Sequence, residues 1–535
     1  MPHPAANLSS RITGFQLISP LLLFGSLVFF VVWSCDGVMS WGGDNALYLM
    51  HASNLLTNHA YAATGYVQNP WAYLSPQSYP PGLPLLIAWV WSWTGFDVLA
   101  FQYALSTVFC LAIGAFAGLI HRDLVTARGG ATIWSALIAC VGFNPVLVSI
   151  GTDILSDGLF LACVCCGLWA LESAYRRQDA RHTRLLLAAL GGIAIGYGVS
   201  TRVFGWMLLV AIPAFEMLRF RRATNTGATA VMTALVVYAA MEAVTMLSVV
   251  DAPTGMSAAP GEGYGALFIA GLWEHLGALP GRVLGAIMAY ASGAGSYLVL
   301  DWPVGPGSQE PGMWRYGLTA IALMAGLHGF VHNVRRQLQL RDVFCVLYLL
   351  ALLPWGAHTA RYLLPVIPFF FFYMCISLHA LARYLPSRIA TCASLVIVLV
   401  VGSVYAGQYH RQFEHEASLR SFAPNSPVAR SLFTYIRRQT PADALIVFRK
   451  PRVVSLFTDR YAVTLTDTAN PVPNDTRVLD YMNRIDADYL LESRRLDGDT
   501  LSGLLARHAP RFRPVYRNPQ FILYQYRAKP TSANP

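Results

Sequence analysis

The sequence predicts an α-helical protein that crosses a membrane many times and ends in a small α/β domain. Three observations predict it. Of 535 residues, 55% are hydrophobic and only 12% charged, with a mean hydropathy of +0.45; soluble domains carry about twice that charged fraction. Eleven apolar runs long enough for a membrane helix recur before residue 410. From about Gln408 the chain turns polar, and its periodicity alternates between helical and strand-like.

The first run, Phe15 to Trp33, follows Arg11. It exceeds the roughly 7–15-residue core of a secretory signal and no Ala-x-Ala site follows it, so it reads as an uncleaved first helix. Further runs lie near 98–120, 132–150, 158–175, 185–201, 203–218, 228–250, 313–333, 343–357, 362–382 and 389–409. Arginine clusters fall in alternate connections: Arg122 and Arg128; Arg176, Arg177, Arg181 and Arg184; Arg219, Arg221 and Arg222; Arg335, Arg336 and Arg341; Arg383 and Arg388. Eleven spans place every cluster in the cytoplasm. The same count places a first external loop, 35–97, and the C-terminal region in the periplasm. Leu83–Trp93 and Val283–Leu300 would each disturb that pattern as spans, so they are expected to lie along, or dip into, the outer face. The chain thus divides into a transmembrane domain, 1–409, and a periplasmic α/β domain, 410–535, of a multi-pass protein of the bacterial inner membrane.

Within the tail, Val428–Arg438 reads as a helix with Ser426 as N-cap and Pro427 at its first position. Ala444–Phe448 and Asp488–Leu491 read as strands, and Val478–Arg484 and Leu501–His508 as helices. Phe512–Tyr516 and Phe521–Tyr526 read as a closing hairpin that turns at Arg517-Asn518-Pro519. Residues 530–535 are expected to be disordered.

The net charge of +10 suggests nucleic acid, but the clustering of arginine between apolar runs is the positive-inside signature. The expected surroundings are a lipid bilayer, with no nucleic-acid partner. The nine cysteines lie in or beside apolar segments. Cys163, Cys165 and Cys166 have no partners at zinc-ligand spacing and read as packing.

Function is expected to turn on the first external loop, from Trp41-Gly42-Gly43-Asp44-Asn45-Ala46-Leu47-Tyr48 to Tyr79-Pro80-Pro81-Gly82-Leu83-Pro84. Asp44 opens a segment with helical apolar spacing just past a membrane helix, which puts a carboxylate at the bilayer surface. Two readings fit it: a base that meets a lipid-borne substrate, or a helix N-cap. Arg202 and Arg361 are cations on the face where cations are otherwise depleted. An ionisable group at membrane depth marks function by default, and arginine suits bidentate phosphate recognition. The competing readings are a snorkelling side chain or an ion pair with Asp153, Asp157 or Asp301. The loop Gly151–Asp157 presents two carboxylates, and Ser156 or Asp157 fits a helix cap equally well. Asp44, Asp153 and Asp157 offer oxygens for a divalent ion, but with no Asp-x-Asp pair a metal is not favoured. No cofactor is expected. Together these groups suit transfer from a lipid-linked phosphate to an acceptor hydroxyl, a carboxylate taking the proton while arginines stabilise the leaving phosphate.

On these residues the chain resembles the polytopic GT-C glycosyltransferases, especially protein O-mannosyltransferases and bacterial lipid A aminoarabinose transferases (glycosyltransferase family 39 and relatives). The matching pieces are Asp44 with Tyr48, Tyr79-Pro80-Pro81-Gly82-Leu83-Pro84, Ser156-Asp157-Gly158-Leu159-Phe160, Thr201-Arg202, and Arg361-Tyr362-Leu363-Leu364-Pro365 with Pro368. In the tail, Arg449-Lys450-Pro451-Arg452 and Thr458-Asp459-Arg460 resemble the small external domain of bacterial members. The resemblance implies an inverting transferase that takes a polyprenyl-phosphate sugar to a glycan, lipid or protein acceptor. It implies Asp44 as catalytic base and Asp157 in the place of an acid more often Glu. Substrate contacts are expected from Tyr48, Tyr79, Pro81, Arg202, Arg361 and Tyr362. The chain departs from the pattern at Asn45, where members carry a second acid, and at Gln102, where members often carry Arg.

Two other classes compete. A transporter or flippase of a lipid-linked glycan would show paired repeats and charges at mid-membrane, and this sequence shows neither. A non-catalytic assembly subunit would fit the Asn45 and Gln102 departures.

Overall fold

A computed structural model describes residues 14–66, 78–125, 130–177, 180–247, 279–298, 313–355, 359–382, 384, 387–465, 475–497 and 500–527. Arg128, Asp301, Arg383 and residues 530–535, which carried expectations above, lie outside the described residues.

The membrane part comprises α1 (Gly14–Trp33), α2 (Gly43–Thr57), α3 (Gly82–Thr94), α4 (Val98–Val125), α5 (Gly130–Gly142), α6 (Pro145–Thr152), α7 (Ser156–Arg176), α8 (Arg181–Val199), α9 (Trp206–Phe220) and α10 (Asn225–Leu247). It continues with α11 (Leu279–Tyr297), α12 (Met313–Arg336), α13 (Leu340–Leu352), α14 (Ile367–Ala382) and α15 (Ser387–Arg420). Every apolar run read from the sequence carries helix in its described part. Among the described residues six helices are long and apolar enough to cross a membrane, and a seventh crossing comes from the bent pair α5–α6.

Some of the runs bend or end for local reasons. The expected run 132–150 breaks between α5 and α6, which meet at 54°. Asn144 sits at the break, accepting from the Val146 and Leu147 amides as N-cap with Pro145 behind it. Helix α13 stops at Leu352, two residues before Pro354, which lacks the amide hydrogen to continue it. Its 13 residues and the 16 of α14 fall short of the roughly 20 a span needs. Helix α3, also 13 residues, is short as expected.

Helix α7 packs on α4 and α8, α8 on α10, and α12 on α14. These contacts form one large apolar core, in which Phe116 on α4 and Phe369 on α14 are fully buried. Helix α15 runs unbroken through residue 409 to Arg420, and the C-terminal α/β unit follows it.

That domain holds α16 (Pro427–Gln439), β1 (Leu445–Val447), α17 (Pro451–Thr458), β2 (Tyr461–Val463), α18 (Asp475–Arg484), β3 (Tyr489–Ser493), α19 (Arg494–Asp497), α20 (Thr500–Arg507), β4 (Phe512–Arg517) and β5 (Phe521–Tyr526). The sheet order is β2-β1-β3-β5-β4, with β1 parallel to β2 and β3, and the β4–β5 hairpin antiparallel to β3. Ser426 caps α16 by accepting from the Ala429 amide, as its position suggested. The sequence reading missed α17 and β2.

The chain between α1 and α3 is the seat of this domain. The Trp41 indole sits among Phe422, Phe433, Phe448 and Phe521 and donates to the Phe422 carbonyl at 2.7 Å. Asn425 donates to the Gly37 carbonyl at 2.6 Å and accepts from the Met39 amide at 3.2 Å. Tyr66 bridges Ala462 at the β2 edge, and the Ala462 amide donates to the Gly65 carbonyl at 3.1 Å.

Candidate active site

Asp44 lies in the first turn of α2, but Gly42 is the N-cap and makes no side-chain cap. The capping alternative therefore fails. The Asp44 carboxylate instead gathers three donors from three distant parts of the chain. Arg361 Nη2 lies 2.6 Å from Oδ2, and the Tyr79 hydroxyl donates to Oδ1 at 2.7 Å. Arg452 Nη1 lies 3.3 Å from Oδ1. Burial pushes the Asp44 pKa up, but Arg361, the Tyr79 hydroxyl and Arg452 outweigh it and hold the carboxyl below its usual range.

The loop that carries Tyr79 is clamped by a histidine. His51 is fully buried on α2, with Nδ1 2.8 Å from the Tyr61 carbonyl and Nε2 3.2 Å from the Tyr79 amide. Because Nε2 must accept from an amide, the ring is the neutral Nδ1–H tautomer. Burial and the Arg452 charge push its pKa down to about 4 against the Tyr61 hydrogen bond. Beyond Tyr79 the chain docks on the end of α8, where the Gly82 amide donates to the Ser200 carbonyl at 2.7 Å. A Cβ at Gly82 would stand 2.3 Å from Thr201 Oγ1, so only glycine permits this approach.

Asp157 does not cap α7, whose N-cap is Leu155. It is buried and forms a contact ion pair with Arg202, one of the partners foreseen for that arginine. The Tyr362 ring lies between two guanidiniums, 5.1 Å from Arg202 and 5.7 Å from Arg361. Ser156 is the first residue of α7 and not its cap; Tyr48 donates to its Oγ at 2.8 Å and lies, tilted, 4.7 Å from the Tyr79 ring. Asp153 accepts from Asn45 at 2.9 Å, and burial pushes it up to about 6 against the Ile154 amide and Asn45.

A cavity of about 40 Å³ opens here between Tyr48, Pro80, Ser156, Thr201, Arg202, Val203, Phe204, Trp355, Arg361 and Tyr362. At 10–15 Å³ per water, that is room for about three waters, on the scale of one phosphate group. Of the expected contacts, Tyr48, Arg202, Arg361 and Tyr362 line it. Pro81 does not: Pro80 is in the wall, and Pro81 is the buried N-cap of α3. Tyr79 touches Asp44 rather than the cavity wall. A larger cavity of about 240 Å³ lies at the opposite end of the bundle, beside Asp123 and Asn333, far from these groups.

The two departures from the family pattern have structural roles. Gln102 accepts from the Gly37 amide at 2.9 Å and donates to the Val38 carbonyl at 3.2 Å, holding the first loop. Asn45 holds Asp153. Sequence reasoning missed His51 and Arg452 as site residues. A histidine inside an apolar helical face was the available signal for the first; Arg452 gave none beyond its place in the Arg449–Arg452 motif. Among the described residues no group of three or more His, Cys, Asp or Glu could hold a metal ion. Asp44, Asp153 and Asp157 are each engaged with protein donors instead.

No family model matches the chain, and no curated protein matches it. Solved structures do. ArnT from Cupriavidus metallidurans bound to undecaprenyl phosphate aligns over 96% of this chain and 99% of its own, with a TM-score of 0.55 at 14% identity. The Archaeoglobus fulgidus oligosaccharyltransferase in complex with Zn and sulfate aligns over 92% of this chain and 69% of its own, with a TM-score of 0.55 at 14% identity. AglB from the same organism, in complex with an inhibitory peptide and a dolichol-phosphate, covers 92% and 71% with a TM-score of 0.51 at 14% identity. The chain shares the fold of these structures.

Proposed function

We propose that this protein transfers a sugar from a polyprenyl-phosphate-linked donor to an acceptor hydroxyl, at the periplasmic face of a bacterial inner membrane. One observation carries the reading: a phosphate-sized cavity walled by Arg202 and Arg361, with Arg361 also touching the ionised Asp44. The two arginines bind the donor phosphate, and the lipid tail runs between helices into the bilayer. Asp44 takes the proton from the acceptor hydroxyl as its oxygen bonds to the anomeric carbon. The bond from that carbon to the donor phosphate breaks, the electron pair leaves with the phosphate, and Arg202 and Arg361 stabilise the charge. A single displacement of this kind inverts the anomeric centre.

Asp157 stands behind Arg202, outside the cavity wall, so it acts by holding that arginine. Tyr79 holds Asp44, and Tyr362 spaces the two guanidiniums. Undecaprenyl phosphate in ArnT and dolichol-phosphate in AglB support a polyprenyl-phosphate donor on this fold.

The test is the glycan and glycolipid mass profile of the source cell, with the gene deleted and then restored as wild type or Asp44→Asn at equal membrane abundance. One sugar mass should vanish on deletion and return with wild type only. Full restoration by Asp44→Asn would remove Asp44 as the base, and an unchanged profile on deletion would remove transfer itself.

A further inference from the structure

We propose that the C-terminal domain is a working part of the site, delivering Arg452 as the positioning residue that aims Asp44 and Tyr79. The inference rests on Asp44 being the base. Arg452 stands at the start of α17, one residue after Pro451, and its side chain is 6% exposed. Its Nη1 donates to the Tyr79 hydroxyl at 3.0 Å as well as reaching Asp44 Oδ1. The guanidinium lies 4.9 Å from the Tyr66 ring centre and 5.7 Å from that of Tyr79. Its stem passes Gly43, where an added Cβ would stand 3.3 Å from Arg452 Cδ.

The contact is built to stay closed. A latch meant to release would rest on an exposed pair, which contributes little. Here the arginine is buried between two tyrosine rings, and three separate anchors at Trp41, Asn425 and Tyr66 seat the domain around it. Oδ2 of Asp44 belongs to Arg361 and Oδ1 to Tyr79 and Arg452. With four lone-pair sites on a carboxylate, three donors leave one direction open for the acceptor proton. Losing Arg452 frees both the angle of Asp44 and the hydroxyl that holds it.

Other charged groups bear on Asp44. Arg361 faces it from the 359–366 turn, and Lys450 from beside α17, its pKa lowered by burial and by Arg449. Asp153 and Asp157 lie on the α6–α7 side. His51, behind Tyr79, is neutral above about pH 4. Removing Arg452 therefore takes away one cation while Arg361 remains, and the Asp44 pKa rises. A base works only when deprotonated, so the variant loses activity at a higher pH than wild type as the medium is acidified.

The experiment uses full-length protein in membranes of the deletion strain, which hold the native donor and acceptor, with product mass measured from about pH 4 to about pH 8. Arg452→Met should lower the neutral-pH rate about tenfold and move its acid limb up by about one unit, while binding of undecaprenyl phosphate by the purified protein stays within about twofold. Arg452→Lys should restore most of the rate. Gly43→Ala, which crowds the stem but keeps the charge, should give a smaller shift in the same direction, so the proposal stays testable if Arg452→Met does not fold. A wild-type rate and limb in Arg452→Met would overturn the role. So would a faster enzyme, which would make Arg452 a lock, or weakened lipid-phosphate binding with the limb unmoved, which would make it a phosphate ligand. An active Asp44→Asn would instead sink the base assignment, independently of these outcomes.

Discussion

Each end of the helical bundle carries a buried ion cluster, and helix α7 joins them. Asp157 at its start and Glu172 near its end are fifteen residues apart, about 22 Å at 1.5 Å per residue. At the Glu172 end, Arg341 is fully buried and pairs with Glu172 at 3.1 Å and with Asp123, while Arg176 pairs with Glu172 at 2.9 Å. Two carboxylates pair with two arginines here, and no cation is left over. At the other end Asp44 and Asp157 meet Arg202, Arg361 and Arg452, an excess of one cation, beside a phosphate-sized cavity. Burial and pairing are common to both clusters and so do not identify a site. What separates them is charge left over for a ligand, since a cavity lies beside each.

That contrast breaks most sharply at its two centres. Asp44→Asn should cut product formation by about 10²–10⁴-fold, the usual worth of a general base, with the protein still folded. Arg341→Met should do the reverse. It leaves Glu172 and Asp123 facing each other without their buried arginine, a loss of about 3–5 kcal/mol in stability. Thermal unfolding in detergent should show a large drop in midpoint, with product per folded molecule unchanged. If Arg341→Met instead stays stable and loses activity, the balanced cluster is functional and charge excess is a poor guide.

The same contrast shows what the sequence made legible. Asp44, Arg202 and Arg361 stood out because they broke a pattern, being charges where topology disfavours them. Arg341 was counted as one more cytoplasmic marker, because a loop arginine and a buried arginine look alike until Glu172 and Asp123 are brought to it from α7 and α4. Periodicity placed the helices of the membrane part, yet it did not show the bend at Asn144-Pro145, which divides an apolar run that hydropathy alone reads as continuous. Tyr79-Pro80-Pro81-Gly82 was visible as a motif, but its reason, the backbone of Ser200 pressed against Gly82, is a contact across more than a hundred residues. Arg452 was hidden for the same cause. It meets Asp44 across 408 positions of chain, and no local spacing reports that.

A third variant tests whether the site end is held by a neutral histidine. The His51 pKa falls from 6.5 to about 4 on folding. Between those values the unfolded chain binds more protons than the folded one, so stability present above pH 6.5 is lost as pH falls, by up to about 3 kcal/mol. His51→Gln, which keeps a donor and an acceptor but does not titrate, should flatten that slope in thermal midpoints measured from neutral pH to near pH 4. A wild-type midpoint that stays flat over this range would mean that His51 protonates as readily in the folded chain as in the unfolded one, and that Nε2 is not held as an acceptor by the Tyr79 amide.

The smallest effect concerns backbone proximity alone. Gly82→Ala places a Cβ 2.3 Å from Thr201 Oγ1 and 2.8 Å from the Ser200 carbonyl, with no flexible neighbour on the backbone side to yield. The α3 start must move off α8, at a cost of about 1–3 kcal/mol. Because Tyr79 lies three residues upstream, the shift also draws its hydroxyl from Asp44, so activity should fall further than folded protein does. Gly285→Ala on α11, where an added Cβ meets nothing within 4 Å, provides the control. It should be neutral or slightly stabilising, since alanine favours helix over glycine by up to about 1 kcal/mol. Equal effects for the two variants would mean that the Gly82–Ser200 approach sets no cost of its own, and that the loop reaches Asp44 without being pressed against α8.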